Sequence, residues 1–364
     1  MIPMVDLQAQ YQRLKKEIDP GVLEVLAKGH YILGPNVQAF EQESATYLGV
    51  KHAIGVASGT DALYLAMMAE GIKAGDEVIT TPFSFIAACE AIRYLGATPV
   101  FVDIEEKTFN IDLNKLEAAI TPKTKAIIPV HLYGQVVIMQ PLLDLCKKHN
   151  IVLLEDCAQS FGATYRGQQT GSMGEYGCFS FYPTKTLGAF GDAGLITTQS
   201  DERADHVRRL RAHGSKVRYE HTEIGLNSRL DEIQAVILRT KLKHLDQFNK
   251  ERQQVAAQYN ELLSNTNVTL PSVHPQSTHV FHQYTILTDQ REQLMQALAK
   301  ANIASSVHYP KPIHRQPVFL EAYKHQSFPV SESVAARCLS LPIYPEMTLA
   351  QVQQVAGVIC EVCR

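Results

Sequence analysis

Between residues 52 and 154, short β-branched runs alternate with patterns of helical period, and this alternation restricts the fold more than any other feature of the chain. The runs are Glu77-Val78-Ile79-Thr80, Pro99-Val100-Phe101-Val102, Ala126-Ile127-Ile128-Pro129-Val130 and Ile151-Val152-Leu153-Leu154. Residues 60–70, 86–95, 113–120 and 141–149 repeat apolar side chains at a three-to-four spacing, which predicts helices. The runs do not alternate polar with apolar residues, so the strands they predict are covered on both faces, as in βαβ units around a mostly parallel sheet. Ligands of such sheets gather at the carboxyl ends of the strands.

Past residue 240 the texture changes. Residues 241–263 predict one long polar helix, followed by a Thr/Asn/Pro-rich break at 266–275, a strand at 280–287, a helix at 291–301 and a Pro-rich turn region at 309–317. The expected organisation is a large α/β domain over residues 1–240 and a smaller α+β domain over 241–364. A length of 364 residues agrees with two domains at about 150 residues each. The composition, 45% apolar and 20% charged, is that of a chain able to bury a substantial core. With 34 basic and 37 acidic residues, a net charge of −3, no overall positive field exists to hold nucleic acid or an anionic membrane. Seven cysteines form an odd, scattered set, as in a reducing compartment, and Cys360-x-x-Cys363 lacks the second pair of a structural metal site. The first residues lack a basic stretch leading into an apolar core, and no run approaches the roughly 18 apolar residues of a membrane span. The expectation is a cytoplasmic protein that binds neither membrane nor metal.

Three stretches place reactive groups where strands end. Ser58-Gly59-Thr60-Asp61-Ala62-Leu63 puts small residues at a helix start, after Ile54-Gly55-Val56. Free N–H groups, a hydroxyl and the helix dipole favour a phosphate there, although the same residues also make an ordinary cap. Glu155-Asp156-Cys157-Ala158-Gln159-Ser160 follows the run at 151–154, so its carboxylate can meet a protonated heterocyclic nitrogen; a capping Asp, or a metal ligand with Glu155, is the alternative. Gly177-Cys178-Phe179-Ser180-Phe181-Tyr182-Pro183-Thr184-Lys185-Thr186 lodges Lys185 among aromatics, glycines and hydroxyls, with Glu175 the only other charge between Arg166 and Asp192. Desolvation lowers the pKa of such a lysine and frees its amine for a Schiff base. A phosphate cup, a carboxylate and a desolvated lysine are what pyridoxal phosphate needs: the carboxylate keeps the pyridine nitrogen protonated and the lysine holds the aldehyde. Phe85, in Pro82-Phe83-Ser84-Phe85-Ile86, can stack on the pyridine.

Taken together, Ser-Gly-Thr-Asp-Ala-Leu, Glu-Asp-x-Ala-Gln, Phe-Ser-Phe-x-Pro-Thr-Lys and Gly-Asp-x-Gly resemble the pyridoxal-phosphate-dependent nucleotide-sugar aminotransferases, the DegT/DnrJ-like family of fold type I. The resemblance runs from Asp6 to Pro342. It implies an α/β, aspartate-aminotransferase-like fold, with a mostly parallel central sheet and a smaller C-terminal α+β domain. It also implies pyridoxal 5′-phosphate as cofactor, held as an internal aldimine on Lys185 with Asp156 at the pyridine nitrogen. Gly59, Thr60 and Ser180 match phosphate-binding positions, Phe85 the stacking aromatic, and Gln159 the residue against the cofactor's other face. Gly225-Leu226-Asn227-Ser228-Arg229-Leu230-Asp231 resembles a segment that reaches the neighbouring subunit, where Asn227 would touch the phosphate. A homodimer with shared active sites is therefore implied.

His308-Tyr309-Pro310 matches a family segment lining the sugar or nucleotide site, and the nearby cations Lys311 and Arg315 suit a diphosphate or carboxylate. Arg211-Ala212-His213-Gly214 resembles a further segment near the site, or is a basic helix terminus closed by glycine. Sugar dehydratases of the family carry His where Lys185 stands, and a non-catalytic regulator would be expected to have lost Lys185 or Asp156. The chain lacks Gly-x-Gly-x-x-Gly after its first strand, and Lys185 follows Thr184 rather than the Gly of a phosphate loop.

The implied reaction is a ping-pong transfer of an amino group from L-glutamate to a nucleotide-linked keto sugar. The resemblance is nearest to enzymes that aminate C3 of UDP-2-acetamido-2-deoxy-3-oxo-glucuronate for lipopolysaccharide or other surface polysaccharide synthesis. It rests on residues 225–231, 308–310 and Val-x-Leu-Tyr-Gly-Gln at 130–135. Arg229 would bind the uronate carboxylate through paired hydrogen bonds, or would instead pair with Asp231 or Glu232. The alternative substrate is a neutral dTDP-linked 3- or 4-keto-deoxysugar.

Overall fold

The computed structural model describes residues 1–364. Helix α1 (Leu7–Lys28) starts at Asp6, whose side chain accepts a 2.9 Å hydrogen bond from Ala9 N–H, and stops at Gly29 in the left-handed conformation that glycine adopts without strain. After α2 (Pro35–Leu48) the alternation begins: β1 (His52–Val56), α3 (Gly59–Ala69), β2 (Glu77–Thr80), α4 (Ala87–Tyr94) and β3 (Thr98–Phe101). It continues through β4 (Thr124–Ile127), α5 (Met139–His149), β5 (Val152–Asp156), β6 (Tyr176–Ser180), β7 (Gly194–Thr198) and α6 (Asp201–Leu210). The sheet order is β1-β7-β6-β5-β4-β2-β3, with β7 antiparallel to both neighbours and every other pairing parallel. The expected mostly parallel sheet is present. Its strands are apolar without alternation because helices cover both faces: Ala62, Leu63 and Ala66 of α3 pack on one side with Ile54, Val78 and Cys178. Met139, Leu142 and Cys146 of α5 pack with Ile79, Ile127 and Leu153 in a different cluster.

Three expectations need correction. The single polar helix over 241–263 is two helices, α7 (Glu232–Leu242) and α8 (Leu245–Leu262). Lys241, the first residue of that expected polar helix, is buried at the end of α7, where its Nζ donates to Gly188 O at 2.7 Å as an internal strut. The strand over 280–287 is only Tyr284–Leu287, here β8, because Phe281 takes φ 48° and Val280 N–H turns away to Gly134 O. The helix expected over 113–120 is one short turn, Leu113–Leu116, tightening into a 3-10 turn at Glu117–Ala119. Strand β8 pairs with β9 (Cys338–Leu341), and α9 (Arg291–Lys300) and α10 (Leu349–Val362) cover it. Val255 and Tyr259 of α8, Leu294 of α9 and Val352 of α10 share one hydrophobic cluster with Ile2, whose N–H and C=O bond Asn302 and Ala304. No helix is long and apolar enough to cross a membrane.

Candidate active site

Every parallel strand near the middle of the sheet ends at one cavity of about 540 Å³. Ser58, Gly59 and Thr60 follow β1, Ser84 and Phe85 follow β2, Val130 follows β4, and Asp156 closes β5 with Ala158 and Gln159 just beyond. Ser180 closes β6, and Tyr182, Thr184 and Lys185 come after it. The opposite wall comes from far along the chain: His282, Gln283, His308 and Tyr309. Of the residues expected in a site, Gly59, Thr60, Phe85, Asp156, Gln159, Ser180, Lys185, His308 and Tyr309 line it together.

Its floor is tightly built. Ser58 caps α3, its Oγ accepting from Asp61 N–H at 3.1 Å, so the helix points its free N–H groups toward the cavity mouth. A Cβ on Gly59 would lie 2.6 Å from Ser180 Cβ, and one on Gly194 2.3 Å from Ser58 O, so only glycine lets β6 and β7 close on the helix terminus. Asp156, 7% exposed, is the last residue of β5 rather than part of the following loop. Its Oδ1 accepts from Ala158 N–H at 3.1 Å, and Oδ2 has no protein partner. Burial raises its pKa, opposed by that N–H and by the positive charge of Lys185. Burial lowers Lys185 to about 8, against the attraction of Asp156, so about a tenth of its amine is neutral at pH 7, far more than for a free lysine at roughly 10.4. The loop carrying it is pinned: Lys185 N–H donates to Tyr182 O and Ala189 N–H to Phe181 O, both at 2.8 Å.

Gln159 is locked at both ends, with Oε1 accepting from Tyr133 N–H at 2.7 Å and Nε2 donating to Tyr309 Oη at 3.2 Å. Tyr133 Oη donates to His308 O, tying the far wall to the sheet edge. Phe85 is 57% exposed and lies 6.3 Å, centroid to centroid, from Tyr309. Glu155 does not line the cavity: its oxygens accept from Gly171, Met173 and Gly174 N–H and from His131 Nε2, whose Nδ1 accepts from Val137 N–H.

Asn227 and Arg229 do not line this cavity. Their segment instead braces its edge through Ser228, whose Oγ donates to Asp61 Oδ2 at 2.6 Å and accepts from Ala57 N–H at 3.1 Å. Arg229 has no carboxylate partner; Glu232 is taken by Asn36 and Val37 N–H at the start of α2. Arg211 is a buried clamp, bonded to Glu41 Oε1 and Gly55 O at 2.6 Å each, and Arg315 pairs with Glu332, so neither cation reaches the cavity. Lys185 is consequently the cavity's one lysine or arginine, facing the carboxylates of Asp156 and Asp192. Sequence reasoning missed Ser84, Tyr182, Thr184 and Asp192 as lining residues although all four stand inside its motifs, and missed His282 and Gln283, which no motif marks.

The architecture is fold type I, the α/β class of pyridoxal-phosphate-dependent transferases. Over residues 12–360 the sequence matches the DegT/DnrJ/EryC1/StrS aminotransferase family, and the chain belongs to that family of sugar aminotransferases. It is 47% identical over 359 residues to a UDP-N-acetyl-3-dehydro-α-D-glucosamine 3-aminotransferase of Acidithiobacillus ferrooxidans, covering 98% of this chain and 97% of that one. It is 41% identical to the UDP-2-acetamido-2-deoxy-3-oxo-D-glucuronate aminotransferase of Pseudomonas aeruginosa, covering 99% of each. A dTDP-3-amino-3,6-dideoxy-α-D-galactopyranose transaminase of Aneurinibacillus thermoaerophilus is 45% identical, again over 99% of each. Among solved structures, DesV of S. venezuelae in complex with a ketimine intermediate superimposes with a TM-score of 0.97 at 42% identity, covering 99% of this chain and 98% of that one.

Proposed function

We propose that this aminotransferase moves an amino group from L-glutamate to C3 of UDP-2-acetamido-2-deoxy-3-oxo-glucuronate, with Lys185 and Asp156 as its catalytic residues. One observation carries the assignment of residues: a low-pKa amine and a buried carboxylate with a free oxygen share one cavity with a glycine-opened helix terminus. These features fit pyridoxal phosphate. Gly59, Thr60 and Ser180 would hold its phosphate, Asp156 Oδ2 its pyridine nitrogen, Phe85 and Gln159 the two ring faces, and Lys185 its aldehyde carbon. Bound there, the cofactor supplies a carbonyl for imine exchange and a ring that draws off electrons when the donor loses its α-proton. Asp156 would keep the pyridine nitrogen protonated, and Lys185 Nζ, once free, would accept the donor's α-proton and return it to the carbon on the other side of the nitrogen being transferred.

The scarcity of positive charge in the cavity supports a homodimer with shared sites. A phosphate and a substrate diphosphate need cations that this wall does not supply, while Arg229 and the exposed Asn227 stand beside the protruding turn of residues 215–224 with Tyr219 and Ile224 80% and 85% exposed. Asn227 would complete the neighbour's phosphate site, and Arg229, Tyr309 and His308 would meet the sugar nucleotide. We also place the division of the chain near residue 240, and the reaction within lipopolysaccharide or surface polysaccharide synthesis in the cytoplasm. The Pseudomonas relative supports the uronate; the Aneurinibacillus relative, at similar identity, keeps a neutral dTDP-linked keto-deoxysugar as the second reading. Incubation with glutamate and a panel of keto nucleotide sugars, read by mass spectrometry, tests the substrate: amination of the uronate is expected, and turnover of the deoxysugars alone would replace it. Lys185→Ala should lose both turnover and the visible absorbance of bound cofactor while staying folded.

A further inference from the structure

His282 occupies the cavity wall without a role in the reaction just described. It is 4% exposed, yet neither ring nitrogen has a hydrogen-bond partner, and Nδ1 is sealed from solvent. Its neighbours on that wall are committed: His308 Nδ1 meets Ser340 Oγ at 3.0 Å, and both ends of the Gln159 amide are used. The backbone around His282 is fixed from two sides, with Val280 N–H on Gly134 O at 3.0 Å, Gln283 N–H on Tyr133 O at 3.3 Å, and Arg252 reaching Phe281 O. A buried polar side chain with no partner costs free energy unless something in the working protein supplies one.

Burial keeps the imidazole neutral, and the nearby positive charge of Lys185 works in the same direction. A neutral ring has one N–H and one lone pair. A buried N–H without an acceptor is the rarer and costlier defect, so the proton belongs on Nε2, the nitrogen left for a ligand. We propose that His282 is a substrate-binding residue whose Nε2–H donates a hydrogen bond to an oxygen on the carbon flanking the reacting centre. Both substrates carry such an oxygen: the α-carboxylate of the amino donor, and the hydroxyl on the carbon beside the sugar ketone. A neutral donor serves both in turn. This inference rests on the transaminase reading of the same cavity.

The test uses His282→Phe and His282→Leu, which remove the donor, and His282→Gln, which keeps one. Dissociation constants are measured by calorimetry for the amino nucleotide sugar on cofactor-free protein. Those for glutamate are read from the visible band of the cofactor-loaded protein. The apolar variants should bind at least one ligand about tenfold more weakly, with His282→Gln within about threefold of the parent. Loss for glutamate alone identifies the carboxylate as the acceptor, loss for the sugar alone the hydroxyl beside its amino carbon, and loss for both a shared position. Unchanged affinities in an apolar variant that melts like the parent would overturn the proposal. So would equal losses in all three variants, which would make His282 a packing residue. A parent protein with no visible band on adding pyridoxal phosphate would instead overturn the transaminase reading itself.

Discussion

The two walls of the cavity are built in opposite ways. Gly59, Thr60, Asp156, Ser180 and Lys185 each stand within a few residues of a strand's carboxyl end, so the parallel sheet gathers them. His282, Gln283, His308 and Tyr309 belong to irregular segments and are tied to the sheet edge by scattered bonds such as Gln283 N–H to Tyr133 O, Tyr133 Oη to His308 O and Gln159 Nε2 to Tyr309 Oη. The wall that holds the reactive groups is thus the edge of a sheet, and the facing wall is set by scattered backbone and side-chain ties. Chemistry should fail when the first is altered, and substrate choice should shift when the second, or the segment around Arg229, is altered.

The sharpest way to break this division is Asp156→Asn. It should bind cofactor yet lose about 10²- to 10³-fold in turnover, because a neutral amide cannot hold the pyridine proton; near-normal turnover would reduce Asp156 to a loop cap. Arg229→Ala comes next, in steady-state kinetics on two substrates. It should cost about 2 to 3 kcal/mol in transition-state binding of a uronate and leave a neutral keto sugar little changed. Equal losses would assign Arg229 to structure and favour the dTDP-linked deoxysugars.

Mixing inactive Lys185→Ala chains with Asn227→Ala chains then asks whether the phosphate site spans two chains. Random exchange should restore about a quarter of the parent's sites, one intact site in each heterodimer. No recovery after confirmed exchange would put both residues in one chain's own site.

The smallest effect concerns pH. In cofactor-free protein, Lys185 and Lys241 are both held near 8 by burial, below the roughly 10.4 of a free lysine. Between those values the unfolded chain binds more protons than the folded one, so denaturant stability should rise with pH across that window. Lys185→Met should remove part of the rise and leave the share due to Lys241.

Much of the first wall was legible because its signals are local. A helix cap, a carboxylate after an apolar run and a lysine without charged neighbours can each be read in a few residues, and the parallel sheet implied that they meet. Misreadings came where a local pattern met a distant partner. Lys241 read as the start of a polar helix until Gly188 O supplied its bond, Arg211 read as either near the site or a helix terminus until Glu41 and Gly55 claimed it, and the 280–287 strand lost its first half to Gly134 and Tyr133.

By itself, then, the sequence determined the α/β sheet, the positions of Asp156 and Lys185, and a pattern shared with the sugar aminotransferases, because period, capping and desolvation depend on neighbours along the chain. Tertiary structure alone decided that Arg229 and Asn227 stand outside this chain's own cavity, that no arginine enters it, and that His282 is enclosed there without a partner. Those facts depend on which groups from remote segments come within hydrogen-bonding distance, and in a buried site that distance decides which polar atoms are satisfied and which still lack a partner.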